Sequence, residues 1–221
     1  MNSILWRNGL SGSVTHFMSS EHESEWVARA QQGDKEAFRE LVRQHQRQVF
    51  HICLGVVKSR ADAEDLVQEV FIRVHRNLSK FEGNAKFSTW LYRIAHNASI
   101  DLLRKRKRKQ ASDFDDYVDE NRENAFDELH LSAPLGFDPR QESARKEYRV
   151  GINKAFESLS PAHREILILR EVENLSYQEI ADSLDIKIGT VMSRLHHARV
   201  NAQTYLKENF PEFVQGLGDS K

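Results

Sequence analysis

The fold of this chain is decided by residues 175–194, which read LSYQEIADSLDIKIGTVMSR. Ser176 and Glu179 have the S-x-x-E spacing of a capping box, in which two side chains satisfy free backbone amides at the start of a helix. Asp185 tolerates the left-handed conformation of a tight turn and ends this first short helix. A second helix begins near Gly189. The segment therefore predicts a helix-turn-helix whose second helix enters a DNA major groove; two short helices of an ordinary bundle are the alternative.

Helical spacing sorts the side chains of this segment and the residues after it into two sets. The inward set is apolar and comprises Ile180, Ala181, Leu184, Ile186, Ile188, Val191, Leu195 and Ala198. The outward set comprises Met192, Ser193, His196, His197 and Arg199. Its hydroxyl, imidazole and guanidinium groups are suited to base edges and phosphates.

The rest of the chain also predicts helices and no strand. From Glu23 to Lys109, apolar residues recur at steps of three and four, with breaks at 58–60 and in the loop 81–87. Ser160-Pro161 has the order of a cap residue followed by proline at the first helical position, and Asp138-Pro139 repeats that order. We expect an all-α fold of two small helical domains, the C-terminal one containing the helix-turn-helix, joined by an acidic flexible linker.

Composition along the chain divides it into five segments. We expect a disordered tail at 1–20, a first domain at 21–110, an acidic linker at 111–137, a second domain at 138–210 and a tail at 211–221. The linker lacks periodicity, so we expect it to hold the two domains apart. Met18 precedes a polar segment and is a second candidate for the start of translation.

Charge is balanced overall but separated along the chain. There are 32 Lys+Arg and 33 Asp+Glu, which gives a formal charge of −1, so total charge does not indicate a nucleic-acid partner. Residues 104–109 are six consecutive cations, whereas 113–128 contain eight acids against one base, a net charge of −7. The separation predicts distinct electrostatic roles for neighbouring segments. A solvated helix end followed by an inert tether is the alternative.

Several classes of protein find no support in the sequence. Cys53 is the only cysteine, so a disulfide within the chain and a cysteine-rich zinc site are excluded, and we expect a buried thiol. There is no apolar run long enough for a membrane span, no signal peptide at the N-terminus, and no ligand spacing among the histidines. No phosphate loop or nucleophile–base spacing occurs. We expect a cytoplasmic protein without enzymatic activity, cofactor, metal or direct membrane insertion.

Four stretches, in this order, resemble signatures of the extracytoplasmic-function (ECF) sigma factors of bacterial RNA polymerase, especially the sigma-E-like envelope-stress group. They are DAEDLVQEVF at 62–71, FSTWLYRIA at 87–95, LSP at 159–161 and LSYQEIA at 175–181. The resemblance covers roughly 21–210. It implies a protein that binds core RNA polymerase, recognises the −35 and −10 promoter elements, helps to melt the duplex, and is held inactive by an anti-sigma factor. The acidic linker resembles the segment that threads the polymerase cleft.

The resemblance implies three binding surfaces. The surface for the largest catalytic subunits of the polymerase comprises Asp62, Asp65, Gln68, Glu69 and Ile72; an ordinary solvated helix face is the alternative. The −10 set comprises Phe81, Asn84, Lys86, Phe87, Trp90 and Tyr92, with Arg104, Lys105, Arg106, Lys107 and Arg108 on backbone phosphates. The −35 set comprises Tyr177, Gln178, Thr190, Met192, Ser193, Arg194, His196, His197 and Arg199.

Two features qualify these sets. Each base stacked on an aromatic ring contributes about 1–3 kcal/mol, which suits the rings of the −10 set for capturing unstacked bases; core packing is the alternative for Phe87 and Trp90. Met192 stands where the family usually has Lys or Arg, which puts the usual −35 sequence in doubt.

A helix-turn-helix regulator that binds an operator and never contacts polymerase is the main alternative function. It leaves residues 62–72, the aromatic loop and the acidic linker unexplained.

Overall fold

The computed structural model describes residues 20–112 and 142–211. The expectations for the N-terminal tail and Met18, for most of the acidic linker, for the Asp138-Pro139 cap and for most of the C-terminal tail lie outside the described residues. Within the described ranges all regular structure is helical and no strand occurs, as predicted. No helix in these ranges combines the length and the apolarity needed to cross a membrane.

The N-terminal half consists of four helices and one short turn. They are α1 (Ser20–Gln31), α2 (Lys35–Val57), α3 (Arg60–Asn77), a 3-10 turn (Leu78–Lys80) and α4 (Phe87–Ser112). Asp34 caps α2 by accepting hydrogen bonds from two backbone amides. Lys58, with φ of 61°, ends α2, and the Ser59 side chain caps α3. The predicted break at 58–60 is thereby confirmed.

Helices α2, α3 and α4 pack around one apolar core. Its central members include Val49, Ile52, Leu66, Val70 and Leu91. Cys53 is fully buried among them, and desolvation raises the pKa of its thiol to about 12. The expected buried thiol is confirmed.

The C-terminal half consists of α5 (Glu142–Ser158), α6 (Pro161–Leu167), α7 (Tyr177–Leu184) and α8 (Ile188–Asn209). Ser160 accepts a hydrogen bond from the His163 amide, with Pro161 in the first turn, so the predicted cap-plus-proline start of α6 is confirmed. A π-helical turn, Ile168–Val172, continues α6. The sequence does not predict this turn, because π-helical turns are rare and have no local signature.

The helix-turn-helix predicted from residues 175–194 is confirmed. Both hydrogen bonds of the capping box are present, and Asp185 ends α7 with φ of 54°. The predicted inward residues of α7 and α8 are buried, with two exceptions in the turn. Ile186 is only partly buried. Ile188 is 46% exposed, and its inward assignment was wrong, because it is the first residue of α8 and faces solvent there.

The two helical halves are not held apart in this structure. Helix α2 packs against α6 and the π turn, and α4 packs against α7. At Gly55 the approach is so close that an added Cβ would lie 2.7 Å from Cδ1 of Ile168. The buried residues of both halves form one continuous cluster.

Candidate functional site

Helix α3 carries an exposed face that contains most of the first candidate set. Asp65, Gln68 and Glu69 are exposed, and Ile72 is 51% exposed although its side chain is large and apolar. Asp62 differs, because it is only partly exposed and its Oδ1 accepts a hydrogen bond from Arg106 of α4. Four members of the set therefore share an accessible face, while the Asp62 carboxylate is engaged within the fold.

The same face borders a groove that the sequence did not reveal. The groove has a volume of about 270 Å³ and is lined by Phe38, Gln68, Phe71, Ile72, His75 and Arg76. The rings of Phe38 and His75 meet edge to face, with centroids 4.9 Å apart. Phe38 is partly buried, packs against the core and lies at the rim of this groove. A groove lined by Phe38, Phe71 and Ile72, with Gln68, His75 and Arg76 as its polar members, is suited to an amphipathic partner helix.

The loop 81–87 is anchored by aromatic packing. The centroids of Phe81 and Trp90 are 5.1 Å apart, and both rings are partly exposed. Phe87 is 3% exposed and Tyr92 is 5% exposed, so both are core side chains in this structure. Of the four aromatic candidates for contacts with bases, only Phe81 and Trp90 have accessible rings.

The polar members of the loop are also engaged. Asn84 donates a hydrogen bond to Glu82 within the loop. Lys86 Nζ lies 2.6 Å from Oε1 of Glu179, which belongs to the capping box of α7. One turn further along α4, Arg93 donates to the backbone oxygen of Asp182, at 2.6 Å from Nη2. Sequence patterns do not predict the Arg93 contact, because its partner is a main-chain atom of the other half.

The Lys86–Glu179 ion pair shifts the pKa values of both partners. Partial burial pushes the pKa of Glu179 upward, but hydrogen bonds from Lys86 and from the Ser176 amide and hydroxyl outweigh it and hold the pKa at about 2. The hydrogen bond to Glu179 and its charge raise the pKa of Lys86. Both groups are therefore charged over the whole neutral range.

The basic run lies at the opposite end of α4 from the loop. Twenty residues separate Lys86 from Arg106, which corresponds to about 30 Å of helix. Arg104, Lys105, Lys107 and Arg108 are exposed, whereas Arg106 is partly buried and bound to Asp62. The loop and the basic run cannot contact the same few nucleotides.

The outer face of α8 presents the central part of the third candidate set. Met192, Ser193, His196 and His197 are exposed, with Met192 at 55%, and Thr190 and Arg194 are partly exposed. Beside this face, the pKa of His163 is lowered by burial and by the nearby His197 and Arg194. The Arg194 guanidinium supplies positive charge beside this face, which suits a phosphate backbone.

The remaining members of that set make contacts within their own half. Arg199 binds Glu171 through two nitrogens and is only partly exposed, so its outward assignment was incomplete. The Arg170 guanidinium lies 5.3 Å from the centre of the Tyr177 ring. Gln178 donates to Asp182 one turn later in α7. Tyr177 and Arg199 thus join α7 and α8 to the π turn, whereas the Gln178 contact stays within α7.

The described residues contain no group of three or more His, Cys, Asp and Glu arranged to hold a metal ion.

Comparison with known families gives two matches. The model of Sigma-70 region 2 matches residues 41–109, which include α3 and most of α4. The model of Sigma-70, region 4 matches residues 149–201, which include α6, α7 and most of α8. Both candidate DNA surfaces and the α3 face lie largely within these matches.

Individual relatives agree with these matches. The ECF RNA polymerase sigma-E factor of Escherichia coli K12 is 38% identical over 174 residues, which are 78% of this chain and 88% of that protein. The ECF RNA polymerase sigma factor SigE of Mycolicibacterium smegmatis is 35% identical over 178 residues, which are 80% of this chain but only 64% of that protein.

Among solved structures, the chain is similar in fold to the sigma factor RpoE from Bartonella quintana, which was crystallised with the anti-sigma factor NepR. The TM-score is 0.59 at 23% sequence identity, with 78% of this chain and 98% of that chain covered.

Proposed function

Because the chain belongs to the ECF sigma factors of the sigma-70 family, we propose that it binds core RNA polymerase and directs transcription to promoters by recognising −35 and −10 elements. One observation carries the proposal. A single chain presents an exposed α3 face within its region 2 match and a helix-turn-helix within its region 4 match. We assign region 2 to residues 21–110, the linker to 111–137 and region 4 to 138–210.

In this proposal the α3 face binds the largest catalytic subunits of the polymerase. Ile72 and the groove beside it accept apolar side chains of a partner helix, while Asp65, Gln68 and Glu69 supply polar contacts at the rim. Interfaces of this kind combine an apolar centre with a polar margin. Asp62 contributes indirectly, by fixing the end of α4 through Arg106.

The −10 element is read by the loop 81–87 and the start of α4. Phe81 and Trp90 offer partly exposed rings on which an unstacked base can stack, and Asn84 and Lys86 offer polar atoms at the loop tip. Phe87 supports both rings from the core, with its centroid 5.9 Å from each, and Tyr92 is a buried core side chain. The exposed cations of the basic run bind phosphates further along the DNA, about 30 Å away along α4.

The −35 element is read by α8. Met192, Ser193, His196 and His197 face the major groove, flanked by Thr190 and Arg194. Arg199 and Tyr177 position the two helices, and together with Gln178 they contact only the edge of the DNA backbone. Since Met192 replaces a cation, we propose a base preference at −35 that differs from that of relatives with Lys or Arg.

The protein has no catalytic activity of its own in this proposal and acts in the cytoplasm, where the polymerase and the chromosome are. An anti-sigma factor holds it inactive until a stress signal releases it. The sigma factor RpoE from Bartonella quintana, which has a similar fold, was crystallised in complex with the anti-sigma factor NepR. That complex supports the proposal of an anti-sigma partner for this chain. The acidic linker passes through the nucleic-acid channel of the polymerase, where its negative charge substitutes for phosphate.

Charge reversal on the α3 face tests the proposal. Replacing Asp65 and Glu69 with Lys places two cations on the proposed contact surface, and we expect loss of binding to core polymerase from the host organism, measured by co-purification and by promoter-directed RNA synthesis. Glu64→Lys is the matched control, because Glu64 lies on the same helix, is exposed and pairs with Arg60 one turn away. Normal holoenzyme assembly by the doubly reversed variant would exclude this surface.

An operator-binding regulator remains the alternative function. It predicts sequence-specific DNA binding without any association with core polymerase, so the native chain distinguishes the two functions in the same co-purification assay.

A further inference from the structure

The last residue of α1 contacts the turn that leads into the loop 81–87. Gln31 ends α1, and its side-chain Nε2 donates hydrogen bonds to the backbone oxygens of Leu78 and Phe81, at 3.0 and 2.8 Å. These two oxygens lie at the start of the 3-10 turn and directly after its end. A glutamine amide nitrogen carries two N–H donors, so this one group holds the backbone on both sides of the turn.

The Gln31 side chain projects from a firmly fixed part of the backbone. Gly33, with φ of 91°, and Asp34 close a tight turn after α1, and their amides donate to the backbone oxygens of Ala30 and Arg29. Asp34 also accepts a hydrogen bond from the Arg29 side chain at 2.9 Å and caps α2. The end of α1 is thereby fixed relative to α2, so the amide is presented to the loop from a rigid support.

Helix α1 also reaches the aromatic rings of the loop through α2. Glu23 Oε1 lies 2.7 Å from His45 Nε2, and the His45 ring meets the Phe87 ring edge to face with centroids 5.5 Å apart. Phe87 in turn contacts Phe81 and Trp90. Apolar packing is less directional than hydrogen bonding, so the hydrogen bonds to the turn define the direction in which the chain enters the loop.

We propose that Gln31 is a positioning residue for recognition of the −10 element, because it fixes the Phe81 backbone and so keeps the Phe81 ring beside Trp90 and open to an unstacked base; this inference rests on the function proposed above. Gln31 belongs to none of the three candidate sets and precedes the Sigma-70 region 2 match, which begins at residue 41. The Leu78 oxygen also accepts a hydrogen bond from the Phe81 amide at 3.1 Å. Loss of the Gln31 amide therefore leaves the turn closed and releases the Phe81 oxygen from its bond to α1.

Three substitutions separate hydrogen bonding from the shape of this side chain. Gln31→Met keeps the length but removes both donors, Gln31→Glu places a carboxylate against two backbone oxygens, and Gln31→Lys restores a donor. Gln32→Met is the matched control, because Gln32 is exposed at the next position and lies in the turn after α1. Each full-length variant is assembled with core polymerase from the host organism. Fluorescence anisotropy then measures the affinity of the holoenzyme for a single-stranded oligonucleotide that contains the −10 sequence.

We expect Gln31→Met to lower this affinity about tenfold, which is the effect of losing one or two neutral hydrogen bonds. Gln31→Glu should lower it at least as much, whereas Gln31→Lys should stay closer to the native chain because it can donate to the same oxygens. Gln32→Met should bind as the native chain does. Binding to core polymerase and to a −35 duplex should be unchanged in all four variants.

A second readout distinguishes positioning from a general structural role. A set of oligonucleotides, each with one abasic position, identifies the base whose removal costs the native holoenzyme the most affinity. In Gln31→Met that cost should shrink, because the ring is no longer placed to receive the base, while the cost at the other positions stays the same. A side chain that only stabilised α1 would lower affinity without changing this pattern.

Three results would overturn the positioning role of Gln31. They are native affinity in Gln31→Met, an equal loss in all three substitutions of Gln31, and an abasic pattern that does not change. Failure of the proposed function gives a different result, because the native holoenzyme would then bind the −10 oligonucleotide no better than a scrambled sequence.

Discussion

Glu179 takes part in two structures at once. Its carboxylate accepts hydrogen bonds from the amide and hydroxyl of Ser176, which completes the capping box, and it also pairs with Lys86 of the other half. Glutamine is compatible with a capping box but carries no charge. The two roles can therefore be separated by substitution.

We expect Glu179→Gln to keep helix α7 and to weaken only the contact with Lys86. Exposed ion pairs contribute about 0–1 kcal/mol, so the free energy of unfolding should fall by no more than that, whereas Glu179→Ala should cost up to about 1 kcal/mol more through the lost cap. Urea denaturation of the full chain measures both changes. Glu64→Gln, which disturbs only an exposed pair within α3, is the control.

The pH dependence of the same variant has a defined sign. The folded-state pKa of Glu179 is about 2, below its ordinary value of 4.5, so its stabilising effect is complete above about pH 4.5 and is lost as the pH falls towards 2. The stability difference between the native chain and Glu179→Gln should accordingly be constant from neutral pH to about 4.5 and shrink below it. A difference that first disappears near pH 6 would contradict this assignment.

At the scale of single elements, the sequence predicts what local chemistry controls. The capping box, the left-handed Asp185 and the cap at Ser160 act over three or four residues, and each is found where the sequence predicts it. Accessibility at the sites is harder to predict. Phe87 and Trp90 are both aromatic and close in sequence, yet only the packing of α4 decides that the first is buried and the second partly exposed.

Helix α8 allows a direct test of the position where Met192 stands in place of the family's usual Lys or Arg. Met192 is 55% exposed on the proposed DNA face, so Met192→Lys should strengthen binding to a −35 duplex. One added phosphate contact steepens the slope of log affinity against log salt by about 0.9. A fourfold rise in salt concentration should therefore reduce the affinity ratio of Met192→Lys to the native chain about 3.5-fold. Fluorescence anisotropy across a salt series measures this slope.

Thr204→Lys is the matched control for this substitution. Thr204 is exposed on the same helix, about 18 Å further along than Met192. Lysine at position 204 adds the same charge away from the proposed contact. Equal steepening by both variants would mean that the effect comes from net charge and not from the face that Met192 occupies.

At the scale of the whole molecule, the sequence predicts the two helical halves but not their contact. From the sequence alone, Gly55 is a residue of low helix propensity within a helix, and Arg164 has no feature that distinguishes it from a surface cation. Their roles depend on Ile168 and on backbone oxygens that the fold brings together from distant parts of the chain. Periodicity identifies which face of a helix is apolar, but it does not state which other element covers that face.

The contact predicts a measurable coupling between Gly55 and Ile168. Glycine to alanine within a helix normally stabilises it by about 0.5–1 kcal/mol. Here the added Cβ would lie 2.7 Å from Cδ1 of a fully buried side chain, so we expect Gly55→Ala to weaken the packing of the halves instead. Ile168→Val removes that Cδ1 atom. Combined with Gly55→Ala it should recover stability, with a coupling energy of at least about 0.5 kcal/mol in a double-mutant cycle.

Two spectroscopic signals can measure this coupling. All three tryptophans precede residue 91, so their fluorescence reports on the N-terminal part of the chain. Helical circular dichroism reports on both halves. In the native chain the two signals should change together during urea denaturation, as one cooperative transition requires. In Gly55→Ala they should separate, because the halves then unfold with less mutual support, and in the double variant they should coincide again. Strictly additive effects, with coincident signals in every variant, would show that Gly55 and Ile168 do not limit the fit between the halves.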